Sequence, residues 1–166
     1  MAEMNAIDLI SNSALFDWRH YLASIGDGDL EGLSPPEHFY LKGAERGCNP
    51  HPLFDVEYYR SHSPNISCNP LEHYLVNGFR QLRNPHPLFD VAFYFGQRPD
   101  VEKCDVEPVR HYLEAGFKEG TEPHWQFSGR FYRWRYADVL EADVNPLIHY
   151  VTVGRYEGRE ISESIR

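Results

Sequence analysis

Apolar and polar residues recur along this chain in two short patterns. The first reads Pro-x-x-His-aromatic-x-x-x-Gly, and its histidines are His38, His73, His111 and His149, spaced 35, 38 and 38 residues apart. The second reads Phe-(Asp/Ser)-x-x-x-Tyr, and its phenylalanines are Phe16, Phe54, Phe89 and Phe127, spaced 38, 35 and 38 apart. Two independent patterns that share one period predict four copies of a single structural unit.

The second pattern predicts the start of a helix, here called helix A. Asp55 is the expected N-cap, because its carboxylate can accept hydrogen bonds from backbone N–H groups of the first turn. Phe54 and Tyr59 then occupy the two positions of a hydrophobic staple. In the second copy, helix A is expected from about residue 56 to 63.

The first pattern predicts a second short helix, helix B, from about residue 70 to 77. Asn69 is the expected N-cap, Pro70 fits the first helical position, and Glu72 completes a capping box, as Glu37 does in the first copy. We expect the glycines that close the pattern to end helix B with a left-handed backbone. These glycines are Gly43, Gly78, Gly116 and Gly154.

These elements predict an all-α fold in which four tandem helical hairpins of about 35–38 residues stack into a small solenoid-like domain. Residues 1-15 are expected to cap the open end, and residues 16-159 to form the repeat domain. Its repeats are about 16-53, 54-88, 89-126 and 127-159, and residues 160-166 form a polar tail.

The net charge indicates which class of partner to expect, and the cysteines indicate which cellular compartment. The net charge is −9, which argues against nucleic acid, because binding phosphates needs a basic face. The cysteines, Cys48, Cys68 and Cys104, form no C-x-x-C pair, which favours a reducing, cytoplasmic setting. Met1 to Leu15 has no secretory-signal pattern, and no stretch is apolar enough to predict a membrane span.

The segment from Asn69 to Asp90 resembles a known bacterial repeat. It is similar to the "NPLxHYLxxGxxEGRxPHPLFDxxYY" units that stand beside glycosyltransferase domains in polysaccharide-synthesis proteins of the rhamnan-synthesis type. The likeness runs from Phe16 to Arg159. It implies a bacterial source and an accessory role in glycan assembly, with a protein partner such as a glycosyltransferase, or with polysaccharide itself.

This chain departs from that family at the Glu-Gly-Arg element and in its extent. Only Glu157-Gly-Arg159 matches; the other copies read Glu45-Arg-Gly, Gln81-Leu-Arg and Glu119-Gly-Thr. No nucleotide-sugar-binding domain is present, and the resemblance transfers no catalytic residue.

The recurrent histidines are interpreted as structural. A residue that occurs once in each repeat is best explained by a structural role that every repeat shares. One such role is a hydrogen bond from the ring to the backbone of an adjacent repeat. Three more histidines, His51, His86 and His124, follow the linker proline. We predict no metal site, no cofactor and no enzymatic activity, because the chain lacks H-E-x-x-H, a P-loop and a nucleophile elbow.

The fourth repeat carries the one departure that suggests binding. Trp125 stands where earlier copies have proline, Trp134 follows the staple tyrosine, and Arg130, Arg133 and Arg135 flank them. Arginine beside an aromatic ring can grip an acidic partner or stack on a sugar. Packing of the two tryptophans in the core is the alternative. The function predicted is therefore an interaction or scaffolding module; a carbohydrate-binding module comes second, and an enzyme accessory or glycosyltransferase fragment third.

Overall fold

The computed structural model describes residues 5–26 and 30–163 of the chain, and this part is all-α, as predicted. Isolated bridges between residues three apart, such as His51 with Phe54 and His124 with Phe127, are the only β-type pairing among the described residues. No helix in these two ranges is both long and apolar enough to cross a membrane.

Eleven α-helices follow one another in the described part of the chain. They are α1 (Ala6–Ser11), α2 (Trp18–Ile25), α3 (Pro35–His38), α4 (Val56–His62), α5 (Pro70–His73), α6 (Val91–Gln97), α7 (Pro99–Lys103), α8 (Pro108–His111), α9 (Gly129–Arg135), α10 (Ala137–Glu141) and α11 (Pro146–His149). Helix A of the four repeats is α2, α4, α6 and α9, and helix B begins as α3, α5, α8 and α11. The stacking of the repeats into a solenoid stays a prediction.

Helix A begins as the capping pattern predicts. Asp55 accepts a hydrogen bond from the N–H of Tyr58 at 2.8 Å, and Asp17, Asp90 and Ser128 cap their helices in the same way. The staple forms too, because the rings of Phe54 and Tyr59 lie 5.3 Å apart. Side-chain capping therefore fixes where each helix A starts.

Helix B begins at the predicted N-caps, with the predicted capping box seen at Glu37 in the first copy, but it does not end where predicted. Asn69 caps α5 by accepting from the N–H groups of Leu71 and Glu72, and Glu37 accepts from the Ser34 N–H at 2.8 Å. Each helix B then widens into one π-helical turn with hydrogen bonds between residues five apart. These turns are Phe39–Gly43, Tyr74–Gly78, Tyr112–Gly116 and Tyr150–Gly154, and a 3₁₀ turn, Phe79–Gln81, follows the second.

The prediction of a left-handed backbone at the four pattern glycines is wrong. Gly78 has φ −59° and ψ −49°, and none of the four has a positive φ. The left-handed residue comes four positions later, at Gly47 (φ 74°), Leu82 (57°), Gly120 (79°) and Gly158 (68°). The N–H of the following residue bonds back to the pattern glycine, as from Arg83 to the carbonyl of Gly78 at 2.9 Å, which closes a Schellman motif.

The chain divides into two compact units, Met1–Pro87 and Leu88–Arg166. Each unit contains two repeats, and the boundary lies one residue from the predicted border between repeats two and three. In the first unit, α1 packs against α3 and α5 and buries Ile10. In the second, the carbonyl of Ile161 accepts from the N–H of Ser128 at 2.9 Å, so the start of the predicted tail is paired with α9.

The left-handed position gives a test of backbone strain. Leu82 has φ 57°, which disfavours any residue with a Cβ, and its side chain is half exposed. We expect Leu82→Gly to raise the free energy of unfolding by about 0.5–1 kcal/mol, since relief of strain outweighs the extra entropy of an unfolded glycine. Urea denaturation measures the change.

The reciprocal change is Gly120→Leu in the third repeat, where a Cβ would meet only an arginine nitrogen at 3.9 Å. It should lower stability by about 1–2 kcal/mol. A destabilised Leu82→Gly variant would contradict the assignment of strain.

Candidate functional site

Each repeat has a buried tyrosine that is hydrogen-bonded to its recurrent histidine. The hydroxyl of the helix A tyrosine lies 2.6–2.9 Å from Nδ1 of the helix B histidine. The pairs are Tyr21 with His38, Tyr59 with His73, Tyr94 with His111 and Tyr132 with His149. Because a buried hydroxyl without a partner is costly, this bond accounts for both residues in every copy.

The expected partner of these histidines is therefore corrected. The ring bonds a tyrosine of its own repeat and not the backbone of an adjacent repeat, because Nδ1 faces helix A across the hairpin. Burial raises the pKa of Tyr132 to about 12, so the hydroxyl stays protonated at neutral pH. The structural interpretation of the histidines fits this geometry.

The pattern glycines are explained by the same contact. A methyl group built on Gly116 would overlap the hydroxyl of Tyr94, and Gly43, Gly78 and Gly154 face their tyrosines in the same way. Glycine is needed here for close approach of a side chain to the backbone and not for a positive φ. Tyrosine, histidine and glycine form one Tyr–His–Gly cluster in each repeat.

The linker histidines are also buried. His51, His86 and His124 are 7–8% exposed, and Nδ1 of His51 accepts from the N–H of Leu53 at 3.0 Å. Burial, with a smaller effect of nearby His20, lowers the pKa of His51 to about 3, and burial also lowers the pKa of His124. No group of three or more potential metal ligands occurs within the described ranges.

The two tryptophans singled out in the fourth repeat lie at the surface. Trp125 is 67% exposed and Trp134 is 73% exposed. The alternative of core packing is therefore wrong for both. In the three earlier copies the place of Trp134 is taken by Ala23, Ser61 and Gly96, so the large ring is particular to this repeat.

Three of the five predicted contact residues line one groove in the second unit. Arg130, Arg133 and Trp134 are spaced i, i+3 and i+4 along α9 and thus share a face of the helix. The groove has a volume of about 310 Å³, and we call it the α9 groove. Its remaining lining comes from Tyr112, Phe117, Lys118, Gly120, Thr121, Glu122, Gly129, Leu140 and Pro146.

The other two predicted contact residues lie outside the lining of this groove. Trp125 stacks on His124, with ring centroids 5.5 Å apart. The guanidinium of Arg135 lies 5.6 Å from the ring of Tyr136. The structure therefore does not gather the five residues into a single site.

The α9 groove is cationic at its rim. Lys118 and Arg133 each lie 3.4 Å from the carboxylate of Asp143, which is 60% exposed and shared between them. The Nε–H of Arg133 is buried without a hydrogen-bond partner among the described residues. Lys118, Arg130 and Arg133 thus line a groove whose other charged residue is Glu122, in a chain whose net charge is −9.

Two substitutions at the start of α9 shape the floor of this groove. Asn49, in the linker before the second repeat, accepts from the N–H of Val56 at 2.9 Å. In the linker before the fourth repeat, Glu122 replaces the asparagine and accepts from the N–H of Gly129 at 2.6 Å. A Cβ on Gly129 would lie 3.2 Å from that carboxylate, so the longer acid and the glycine go together.

The first unit has a corresponding groove with different chemistry. It has a volume of about 340 Å³ and is lined by Ala44, Glu45 and Arg60 where the α9 groove has Phe117, Lys118 and Arg133. The position of Trp134 is Ser61 there and does not line the groove. An apolar floor with a cationic rim is therefore a property of the second unit's groove and not of the repeat.

No protein-family model, curated protein or solved structure matches this chain.

The Tyr–His–Gly cluster gives a double-mutant test. Gly116→Ala should lower the free energy of unfolding by roughly 2–4 kcal/mol, since the methyl displaces the Tyr94 ring and breaks its bond to His111. Adding Tyr94→Phe removes the overlapping hydroxyl, so the double variant should lose less than the sum of the single changes. Urea denaturation of all four proteins measures the coupling.

Gly96→Ala is the matched control, because nothing lies within 4 Å of its added methyl group within α6. It should be neutral or stabilising by up to about 1 kcal/mol. Equal losses for Gly96→Ala and Gly116→Ala would show that crowding by the tyrosine is not the cause.

The buried histidines predict a loss of stability in mild acid. The folded pKa of His51 is about 3 and the unfolded value is about 6.5, so below pH 6.5 the unfolded state takes up the proton first. Stability due to His51 is complete above pH 6.5 and falls as the pH drops toward 3. Between pH 7 and 5 the loss from this residue should be about 2 kcal/mol.

His51→Asn keeps an acceptor for the Leu53 N–H and removes the titrating ring. Urea unfolding at pH 7, 6 and 5 should show a shallower decline for this variant than for the unaltered chain. His62→Asn, at an exposed position, should leave the decline unchanged. Identical pH profiles for the unaltered chain and His51→Asn would contradict the assignment.

Proposed function

We propose that this protein is a non-catalytic interaction or scaffolding module that works beside bacterial polysaccharide synthesis. The observation that carries the proposal is the α9 groove, where an exposed tryptophan and three cations surround an apolar floor. Tryptophan and arginine are the residue types that most often dominate binding energy at interfaces. The setting in glycan assembly rests on the resemblance of the repeat motifs.

The histidines that would be the first candidates for acid–base chemistry have other tasks. The four in helix B hold tyrosine hydroxyls at 2.6–2.9 Å, and Nδ1 of His51 and of His124 accepts backbone N–H groups in the linkers. A catalytic histidine is needed once, whereas these recur with the repeat. This supports the non-catalytic proposal.

The proposed compartment is the cytoplasm. Cys48, Cys68 and Cys104 are free thiols, and Cys68 and Cys104 are exposed. Exposed free thiols suit a reducing environment.

A carbohydrate-binding module is the second candidate function, and one observation favours it. The ring of Trp134 is 73% exposed and borders both the α9 groove and a second hollow of about 410 Å³. An exposed aromatic face can stack on a sugar ring. A glycosyltransferase accessory or fragment is the third candidate and rests on the resemblance alone.

The test compares retention with turnover. The purified chain is immobilised, and retention of the glycosyltransferases and of the polysaccharide of the source bacterium is measured. We expect a defined protein to be retained and the double variant Arg133→Ala, Trp134→Ala to lose it, with folding checked by circular dichroism. Trp125→Ala, an equally exposed tryptophan outside the groove, should keep it.

Turnover is followed in parallel with nucleotide-sugars as substrates. Conversion of a nucleotide-sugar by the purified chain would overturn the non-catalytic proposal. Retention of polysaccharide without any protein, lost in the same double variant, would favour the carbohydrate-binding alternative.

A further inference from the structure

We propose that the α9 groove binds an acidic peptide segment that carries large apolar side chains. This inference rests on the proposed function and names the chemistry of the partner. Four observations support it: the composition of the floor, the charge at the rim, the state of the polar groups in the lining, and the way this chain's own acidic segment lies beside α9.

The floor requires an apolar occupant. Phe117, Leu140 and Pro146 line it. A volume of about 310 Å³ lies at the lower end of the roughly 300–1,000 Å³ typical of ligand pockets. It suits one or two side chains of a peptide.

The rim requires a negative charge. Lys118, Arg130 and Arg133 line the groove, and of these three only Lys118 and Arg133 form an ion pair among the described residues. The exposed carboxylate of Asp143 already lies 3.4 Å from both Lys118 and Arg133. A carboxylate of a bound peptide would take the place that Asp143 partly fills.

Most polar side chains in the lining are charged: Lys118, Glu122, Arg130 and Arg133. The carboxylate of Glu122 is occupied, since it accepts from the N–H of Gly129 at 2.6 Å and from the hydroxyl of Ser128 at 3.2 Å. Thr121 is 8% exposed. A peptide needs fewer hydrogen bonds from side chains here, because its apolar residues fill the floor while its carboxylates reach the rim.

An acidic segment of this chain already lies along the same helix. The carbonyl of Ile161 accepts from the N–H of Ser128 at 2.9 Å, and Glu163 lines the second hollow together with Arg130 and Trp134. The segment from Glu160 to Glu163 thus lies beside the start of α9. The α9 groove presents the same two side chains, Arg130 and Trp134, to a second segment.

The probe is a fluorescein-labelled, end-capped hexapeptide, Asp-Glu-Leu-Phe-Glu-Asp, titrated with the whole chain and followed by fluorescence anisotropy. Trp134→Ala and Lys118→Glu should each weaken binding at least about tenfold, as expected for interface anchors. Raising the salt concentration should weaken it further, because the rim charges are exposed. Peptides with lysine in place of the acids, or alanine in place of Leu-Phe, should bind far more weakly.

Three matched variants make the test specific. Asp143→Asn removes the competing carboxylate and should tighten binding several-fold; asparagine tolerates the left-handed backbone at this position (φ 49°). Trp125→Ala and Arg135→Ala alter the tryptophan and arginine outside the groove and should leave the affinity unchanged. Circular dichroism and melting temperature confirm that each variant is folded.

The proposal is overturned if the peptide does not bind, if Asp143→Asn leaves the affinity unchanged, or if Trp125→Ala weakens binding as much as Trp134→Ala. It is also overturned if an oligogalacturonate, an acidic sugar chain without apolar side chains, displaces the peptide more effectively than unlabelled peptide does. These results differ from a failure of the proposed function, which would appear as turnover of a nucleotide-sugar.

Discussion

The contact of a buried tyrosine hydroxyl with a histidine nitrogen and a glycine backbone governs the local structure of every repeat. The hydroxyl of Tyr94 lies 2.7 Å from Nδ1 of His111, and no side chain fits between it and Gly116. The glycine closes a π-helical turn whose wider ring brings its backbone to the tyrosine. A substitution at any one of the three residues would disturb its contact with the other two. This explains why tyrosine, histidine and glycine recur together in every repeat.

The π turn also decides where helix B ends. Since hydrogen bonds in the turn span five residues, the backbone leaves it still in a helical conformation, with Gly78 at φ −59°. The helix then continues to a Schellman motif in which Leu82 or its equivalent glycine is left-handed. The Glu-Gly-Arg element of the sequence is the C-terminal cap of helix B. Its variation among the copies strains the backbone at one position, Leu82, where the other copies have glycine.

Local capping could be predicted from the sequence, and tertiary contacts could not. Asp55, Phe54 and Asn69 act within a few residues of their own helix, so their pattern is sufficient to predict their role. Glycine, by contrast, serves either a positive φ or a close approach, and the two look alike in a single sequence. A second series of glycines lies four residues later, with leucine once at position 82, and the structure shows that this series has the positive φ.

The candidate site shows the same limit. Arg130, Arg133 and Trp134 share a helical face and could be grouped from their spacing, whereas Trp125 lies in a linker and Arg135 on another face of α9. Phe117 and Lys118 reach the groove from the preceding repeat, and no local pattern points to them.

The exchange at the start of α9 indicates that the groove is not a by-product of repeat packing. Val56 is fully buried at this position in the second repeat, so its replacement by Gly129 gives up apolar burial and adds the entropic cost of glycine in a helix. Glu122 preserves the backbone cap that Asn49 provides in the second repeat, through the bond to the Gly129 N–H. The backbone cap is thus kept while a buried valine is lost, and the carboxylate of Glu122 and the ring of Pro146 lie where a side chain would extend from Gly129. A local departure that lowers stability is often kept where it serves function, so this exchange supports, independently of the exposed tryptophan, the proposal that the binding surface lies in the fourth repeat.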